Sequence, residues 1–270
     1  KPEDQAMIHS LIEKAGVADV NQVVLKLLKQ FYLNVAKRLF EKDSLSEEEK
    51  SNVCFATYSI HHALGEFEEA LVWFNQLKAT DVEPEEKEEY LFKVGYSNFQ
   101  EKKYVEARSA FHEVKDGVSQ YAAPGLYYYS HIAYMDKSYQ TALDGFLKLQ
   151  TNESFASVVP YYIAQIYYLQ GKYAEVTKYA PTIVDSANAI NQTDMNHLIG
   201  DAYYRVNKYD EAVPYLEKYN QKANTTRDDD YQLGFAYYKS KNYDKAIQYY
   251  KETTKYKYNG AKTYTMIASA

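Results

Sequence analysis

Between residues 20 and 40, Val20, Val24, Leu27, Leu28, Phe31, Val35, Leu39 and Phe40 recur at the spacing of one helix face, which predicts a single long amphipathic helix. Asp19 is placed to cap its start, and residues 10 to 15 read as a shorter preceding helix that ends at Gly16. Ser46 and Glu49 have the spacing of a capping box for the helix that follows. Residues 1–50 lack the pattern that governs the rest of the chain. They read as a degenerate copy of it, or as a cap that shields the open end of a stack.

From residue 51 to residue 270 the apolar pattern repeats, at a period of about 34 residues. Its marker is an alanine, at Ala70, Ala107, Ala142, Ala212 and Ala246, with Val176 in the equivalent place. Three positions before each stands an aromatic residue: Phe67, Tyr104, Tyr139, Tyr173, Tyr209 and Tyr243. Twelve before stands a small residue: Gly95, Ser130, Ala164, Gly200 and Gly234. Two helices per copy account for this pattern. The small residue on the first helix and the alanine on the second let the helices approach to the short end of the usual ~8–10 Å interaxial range, and aromatic rings fill the remaining space. The connecting turns fall on Gly65, Gly171 or polar residues such as Asn207 and Lys241. One helix pair leaves an apolar face uncovered, so each copy must stack on the next.

Six copies begin near Ser51, Glu88, Ala123, Ser157, Thr193 and Arg227. A seventh begins at Ala261 and stops within its first helix, from which the natural chain is expected to continue, and its stripe Tyr264, Ile267 and Ala268 is expected to fray or self-associate. Two copies depart from the pattern. The first has Tyr58 in the small position, so its register is expected to slip by one residue and give that role to Ser59. The fourth has Val176 for alanine, Ala180 for the late aromatic and then Pro181, which predicts a displaced or shortened second helix.

The stretches "IGDAYYRVNKYDEAVPYL" (Ile199 to Leu216) and "LGFAYYKSKNYDKAIQYY" (Leu233 to Tyr250) resemble the tetratricopeptide repeat. That resemblance implies an all-α fold, an α-solenoid of helix-turn-helix copies in a right-handed superhelix, whose first helices line an inner groove. "YAAPGLYYYSHIAY" (Tyr121 to Tyr134) and "VVPYYIAQIYYLQGKY" (Val158 to Tyr173) look like large exported tetratricopeptide proteins of Bacteroidetes envelopes. This second resemblance, over about residues 85–270, implies a periplasmic or envelope location and no enzymatic role.

Composition narrows the function further. Apolar residues are 46% and charged residues 25%, enough for a core, and 31 of 270 residues are tyrosine, so rings must serve a recurrent role. The net charge is −6 with lysines and arginines scattered singly, which argues against a nucleic-acid partner. No apolar run has the ~18 residues of a membrane-spanning helix, so direct membrane insertion is not expected. The lone Cys54 reads as a packing residue.

No catalytic, cofactor or metal motif is evident. The adjacent His61 and His62 point about 100° apart on a helix and read as partly exposed surface residues. Asp228, Asp229 and Asp230 read as helix-start charges, and residues 83–89, with Pro84 in the first turn, read as another helix start.

The residues that do suggest binding are aromatic. Four positions after the small residue lies an outer ladder: Phe99, Tyr134, Tyr168, Tyr204 and Tyr238. Three positions before it lies an inner ladder: Phe92, Tyr127, Tyr161, His197 and Tyr231, with Tyr96 and Phe235 adding rings. Half-wet tyrosines suit a binding face, and the rival role for the same rings is packing copy against copy. Tyr167, Tyr203 and Tyr237 are expected to pack. The Lys and Asn pairs with which some tetratricopeptide proteins grip a peptide carboxylate are replaced here by Phe92, Tyr96, Tyr127 and His131. The expected function is a scaffold holding a protein or peptide segment, possible roles being envelope assembly or chaperoning; a glycan or other non-protein ligand is the alternative.

Overall fold

The structure is a computed structural model that describes residues 20–41, 45–77, 82–186 and 189–254. The predicted helix over 10–15, the Asp19 cap and the seventh copy lie outside the described residues. Among the described residues the fold is all-α, with thirteen α-helices and no strand. They are α1 (Val20–Phe40), α2 (Glu47–Leu64), α3 (Phe67–Phe74), α4 (Lys87–Gln100), α5 (Tyr104–Val114), α6 (Ala122–Met135) and α7 (Tyr139–Leu149), followed by α8 (Val159–Leu169), α9 (Tyr173–Tyr179), α10 (Ala189–Arg205), α11 (Tyr209–Lys222), α12 (Arg227–Lys239) and α13 (Tyr243–Thr253). The chain divides into two compact units, Lys1–Tyr129 and Ser130–Ala270, the boundary falling inside α6.

Helices pack as consecutive pairs. In the first unit the closest partners are α2 with α3 and α4 with α5; in the second they are α10 with α11 and α12 with α13. The marker residues are why. Ala70, Ala107, Ala142, Val176, Ala212 and Ala246 are all fully buried. A Cβ on Gly200 would stand 2.7 Å from Leu216, and one on Gly95 would stand 2.7 Å from the Phe111 ring. The two helices of a copy meet at these points.

The turns are equally regular. Gly65, Lys102, Lys137, Gly171, Asn207 and Lys241 all have positive φ, one in each of the six copies. Helix starts follow the expected chemistry in two places: Ser46 and Glu49 form the capping box of α2, and Thr226 with Asp229 forms one at α12. Asp230 is buried and accepts from Asn220 Nδ2 at 2.9 Å. At α4 the helix starts at Lys87, so Pro84 lies in the turn of residues 84–86 instead of the first helical turn.

Two expectations need correction. The register of the first copy does not slip: Thr57 and Tyr58 are the fully buried residues, while Ser59 is only half-buried. Tyr58 fits the small-residue slot because Phe74, the ring that would otherwise fill it, is turned onto Tyr90, stacked at 5.0 Å. His61, expected to be partly exposed, is buried and holds Glu66 through Nδ1 at 2.7 Å. The fourth copy does shorten as expected. Helix α9 is only seven residues and gives way to 3-10 turns at Ala180–Thr182 and Val184–Ser186.

Candidate functional site

The outer ladder is built by the turn. Each first helix ends near its ladder residue, the positive-φ residue reverses the chain, and the first aromatic of the second helix returns against the ladder ring. The ring centroids of Phe99 and Tyr104 lie 5.6 Å apart, Tyr134 and Tyr139 6.1 Å, Tyr168 and Tyr173 5.4 Å, Tyr204 and Tyr209 5.5 Å, and Tyr238 and Tyr243 5.9 Å. All five ladder residues remain half-buried, as do Phe92, Tyr96, Tyr127, Tyr161, Tyr231 and Phe235.

In the first unit, Phe92, Tyr96 and Phe99 converge on Tyr128, with centroids at 6.3, 5.4 and 5.1 Å, and Tyr127 stands beside it at 5.4 Å. Tyr128 itself stacks flat on Phe111, 5.3 Å away and 15° from parallel. In the second unit the same arrangement recurs: Tyr134 and Tyr161 flank Tyr162 at 5.4 and 6.0 Å, and Tyr162 stacks on Phe146 at 5.0 Å and 15°. Further along, Phe235 gathers Tyr204, Tyr231 and Tyr238, at 5.7, 6.5 and 6.5 Å. His197 occupies the inner-ladder place in α10, stacked on Tyr219 at 4.3 Å with Nε2 3.4 Å from Asp229 Oδ1.

The tyrosine hydroxyls of the second unit join neighbouring copies. Tyr134 donates to Gln165 Oε1 at 2.9 Å, Tyr161 to Asp194 Oδ2 at 3.3 Å, and Tyr168 to Asp201 Oδ2 at 2.5 Å. Asp201 is only 7% exposed and accepts twice more, from Gln232 Nε2 and from Arg205 Nε. Three donors compensate the cost of burying that carboxylate. Burial, assisted by these acids, pushes the Tyr161 and Tyr168 hydroxyls up to about 12; burial with neighbouring tyrosines does the same to Tyr204.

Residues 193–221 and 230–256 each match the tetratricopeptide repeat family. These two copies are tetratricopeptide repeats. The C-terminal part of a repeat-containing protein from Cytophaga hutchinsonii has the same fold at 13% identity, covering 90% of this chain and 98% of that one, with a TM-score of 0.57. PilF of Pseudomonas aeruginosa is 15% identical over 83% of this chain and 99% of its own, at 0.51. YrrB, described as a tetratricopeptide protein with an unusual peptide-binding site, is 12% identical over 79% and 96%, at 0.52. No curated protein sequence matches the chain.

Within the copies the tyrosines preceding the outer ladder do pack. Tyr167 meets Tyr179 at 6.1 Å, Tyr203 meets Tyr215 at 5.8 Å and Tyr237 meets Tyr249 at 5.7 Å, each on its own second helix. Sequence reasoning missed Tyr128 and Tyr162, the rings on which the ladders rest. Their signal was present in the tyrosine runs 127–129 and 161–162, where the third and fourth copies alone place a ring two positions before the small residue. It also missed Gln165, Asp201 and Gln232, polar residues on first-helix faces that are otherwise aromatic. Among the described residues no group of His, Cys, Asp and Glu is arranged to hold a metal ion, and no helix is long and apolar enough to cross a membrane.

Proposed function

We propose that this protein is a non-catalytic scaffold that holds a segment of a partner protein against the aromatic first-helix face of its tetratricopeptide copies. The observation that carries this reading is the half-burial of every ladder ring: each is held by a neighbour on one side and keeps wet surface on the other, the state in which tyrosine makes a rigid binding anchor. The candidate face comprises Phe92, Tyr96, Phe99 and Tyr127 in the first unit. In the second it comprises Tyr134, Tyr161, Tyr168, Tyr204, Tyr231, Phe235 and Tyr238. YrrB, with its peptide-binding site on the same fold, supports a protein segment as the ligand. An envelope location, in assembly or chaperoning, belongs to the same proposal and rests on the resemblance of residues 121–134 and 158–173 to exported proteins.

Crosslinking and capture from the source cell tests it, with parent protein and a Tyr204→Ala/Tyr238→Ala variant as baits. The parent should capture discrete proteins, and the variant should bind them at least about 30-fold more weakly, the equivalent of one strong anchor of about 2 kcal/mol. Its melting should change little. If instead the variant unfolds early, by the ~3–5 kcal/mol that a core aromatic costs, with unchanged affinity in the folded fraction, the rings are packing residues and the reading fails. Retention on cell-wall polysaccharide without protein partners would replace it with glycan binding.

A further inference from the structure

The second unit holds an arginine in a prepared position. Arg205, the last residue of α10, lies with its guanidinium carbon 5.0 Å from the Tyr173 ring centroid and 5.9 Å from that of Tyr168. Its Nε donates to Asp201, which Tyr168 and Gln232 also hold. The pair with Asp201 drives the guanidinium pKa further above its already high value. Yet the arginine side chain is 48% exposed, so part of the guanidinium stays open to solvent. Orientation of this kind is uncommon for a surface arginine, because a free side chain keeps its rotamers. Here two rings and a buried carboxylate have already removed that freedom.

We infer that Arg205 is the anion-reading anchor of the aromatic face, and that the partner segment it receives carries an acidic side chain; this rests on the scaffold reading above. The planar guanidinium, half-exposed and already oriented by Asp201 and two rings, matches a carboxylate, and little rotamer entropy remains to be lost on binding. Asp201 is the positioning residue: with three donors on it and almost no exposed surface, it aims the arginine and does not itself meet the ligand. The charge pattern agrees. The place Arg205 occupies is filled by Gln100, Met135 and Leu169 in earlier copies and by Lys239 in the next, where the ammonium stands 5.3 Å over Phe235. Of the acids on these first helices, Asp201 is buried and shared among three donors, and Asp194 and Asp228 stand toward the other ends of α10 and α12, while Glu175, Asp210 and Glu211 lie in the first turns of the second helices α9 and α11. Eleven residues of helix separate Asp194 from Arg205, about 16 Å, beyond the ~8–10 Å over which exposed charges act in ordinary salt.

The test uses a fluorescein-labelled peptide alternating Glu with Leu and Phe, and its counterpart with every Glu replaced by Gln, read by fluorescence anisotropy against the whole chain. The parent should bind the Glu peptide about tenfold to a hundredfold more tightly, the range for a charge-assisted hydrogen-bonded pair. Arg205→Gln should abolish the preference, and Arg205→Lys should lose most of it by keeping the charge without the planar guanidinium. Lys178→Gln, on a second helix, should leave it intact. Helical circular dichroism checks that each variant is folded. Equal binding of the two peptides by the parent, or a preference that survives Arg205→Gln, overturns the anchor. If the Gln peptide then still binds and needs Tyr204 and Tyr238, the scaffold reading stands without it. Binding of neither peptide also overturns the anchor, and leaves the scaffold to the capture experiment.

Discussion

Lys102, Lys137, Asn207 and Lys241 have φ between 59° and 63°, where a side chain costs about 1–2 kcal/mol, while the same turn is made by Gly65 and Gly171 without that cost. Lys137→Gly should therefore stabilise the protein, by up to about 1 kcal/mol after the extra freedom of glycine in the unfolded chain is set against it. Gly171→Ala should destabilise by a similar amount through backbone strain alone, since a Cβ there meets nothing within 4 Å. Urea midpoints decide both; no shift in either would mean the turns relax. Gly200 and Gly95 separate two kinds of close approach. Alanine gains about 1 kcal/mol over glycine in a helix, but a Cβ at Gly200 meets the Leu216 side chain at 2.7 Å and its backbone nitrogen at 3.1 Å, so α11 itself must move. Overpacking of about 1–3 kcal/mol should win. At Gly95 the nearest atoms belong to the Phe111 ring, at 2.7 to 3.1 Å; that ring is fully buried and stacked on Tyr128, so Gly95→Ala should also destabilise, through the ring and not through the backbone of α5. Melting of either variant at the parent's temperature would contradict this.

At the scale of elements, α4 and the connection from α5 to α6 are joined by Glu88. Its carboxylate accepts the backbone N–H groups of Val118 and Ser119, at 3.4 and 3.1 Å, and the Ser119 hydroxyl at 2.5 Å. A Cβ on Gly117 would lie 2.4 Å from the carboxylate, so a side chain there would push Glu88 aside. The Ser119 hydroxyl bond, helped by the two backbone N–H groups against partial burial, holds the Glu88 carboxyl below its ordinary value of 4.5. A carboxyl depressed in the folded state contributes stability that is complete above its unfolded value and is lost as pH falls through the folded one. Glu88→Gln should thus lower stability at neutral pH and flatten its decline below pH ~4.5. Urea titrations of parent and variant across that range test it, and parallel curves would show that the carboxylate is not what joins these elements.

Over the whole molecule the dominant titration is that of tyrosine. Burial, the first cause in each case, raises Tyr128, Tyr161, Tyr168, Tyr179 and Tyr204 from 10.0 to about 12. A group whose folded value is raised contributes stability that is whole below the unfolded value and lost as pH rises through the folded one. The fold should therefore be insensitive to tyrosine ionisation below pH 10 and weaken steeply between 10 and 12, with the phenolate absorbance rising together with loss of helical circular dichroism. Absorbance that titrates near 10 while the helices persist would mean that these hydroxyls are wet in the folded state.

The sequence by itself determined the helix pairs, the six turns, the capping box at Ser46, the short helix after Tyr173 and the places of the ladder rings. All of these follow from spacing within one copy, where the small residue of the first helix meets the residue four after the marker of the second, as Gly95 meets Phe111 and Gly200 meets Leu216. Tertiary structure alone decided how a large ring takes a small slot, as Tyr58 does once Phe74 turns onto Tyr90. It also decided that the ladder rings rest on Tyr128 and Tyr162, and that Tyr168, Gln232 and Arg205 meet on Asp201. On Asp201, Tyr168 and Gln232 come from the neighbouring copies, 33 and 31 residues away, while Arg205 lies on the same helix. A repeat pattern sets which way a residue faces on its own helix; the stagger of one copy against the next, which the period does not encode, sets what it touches.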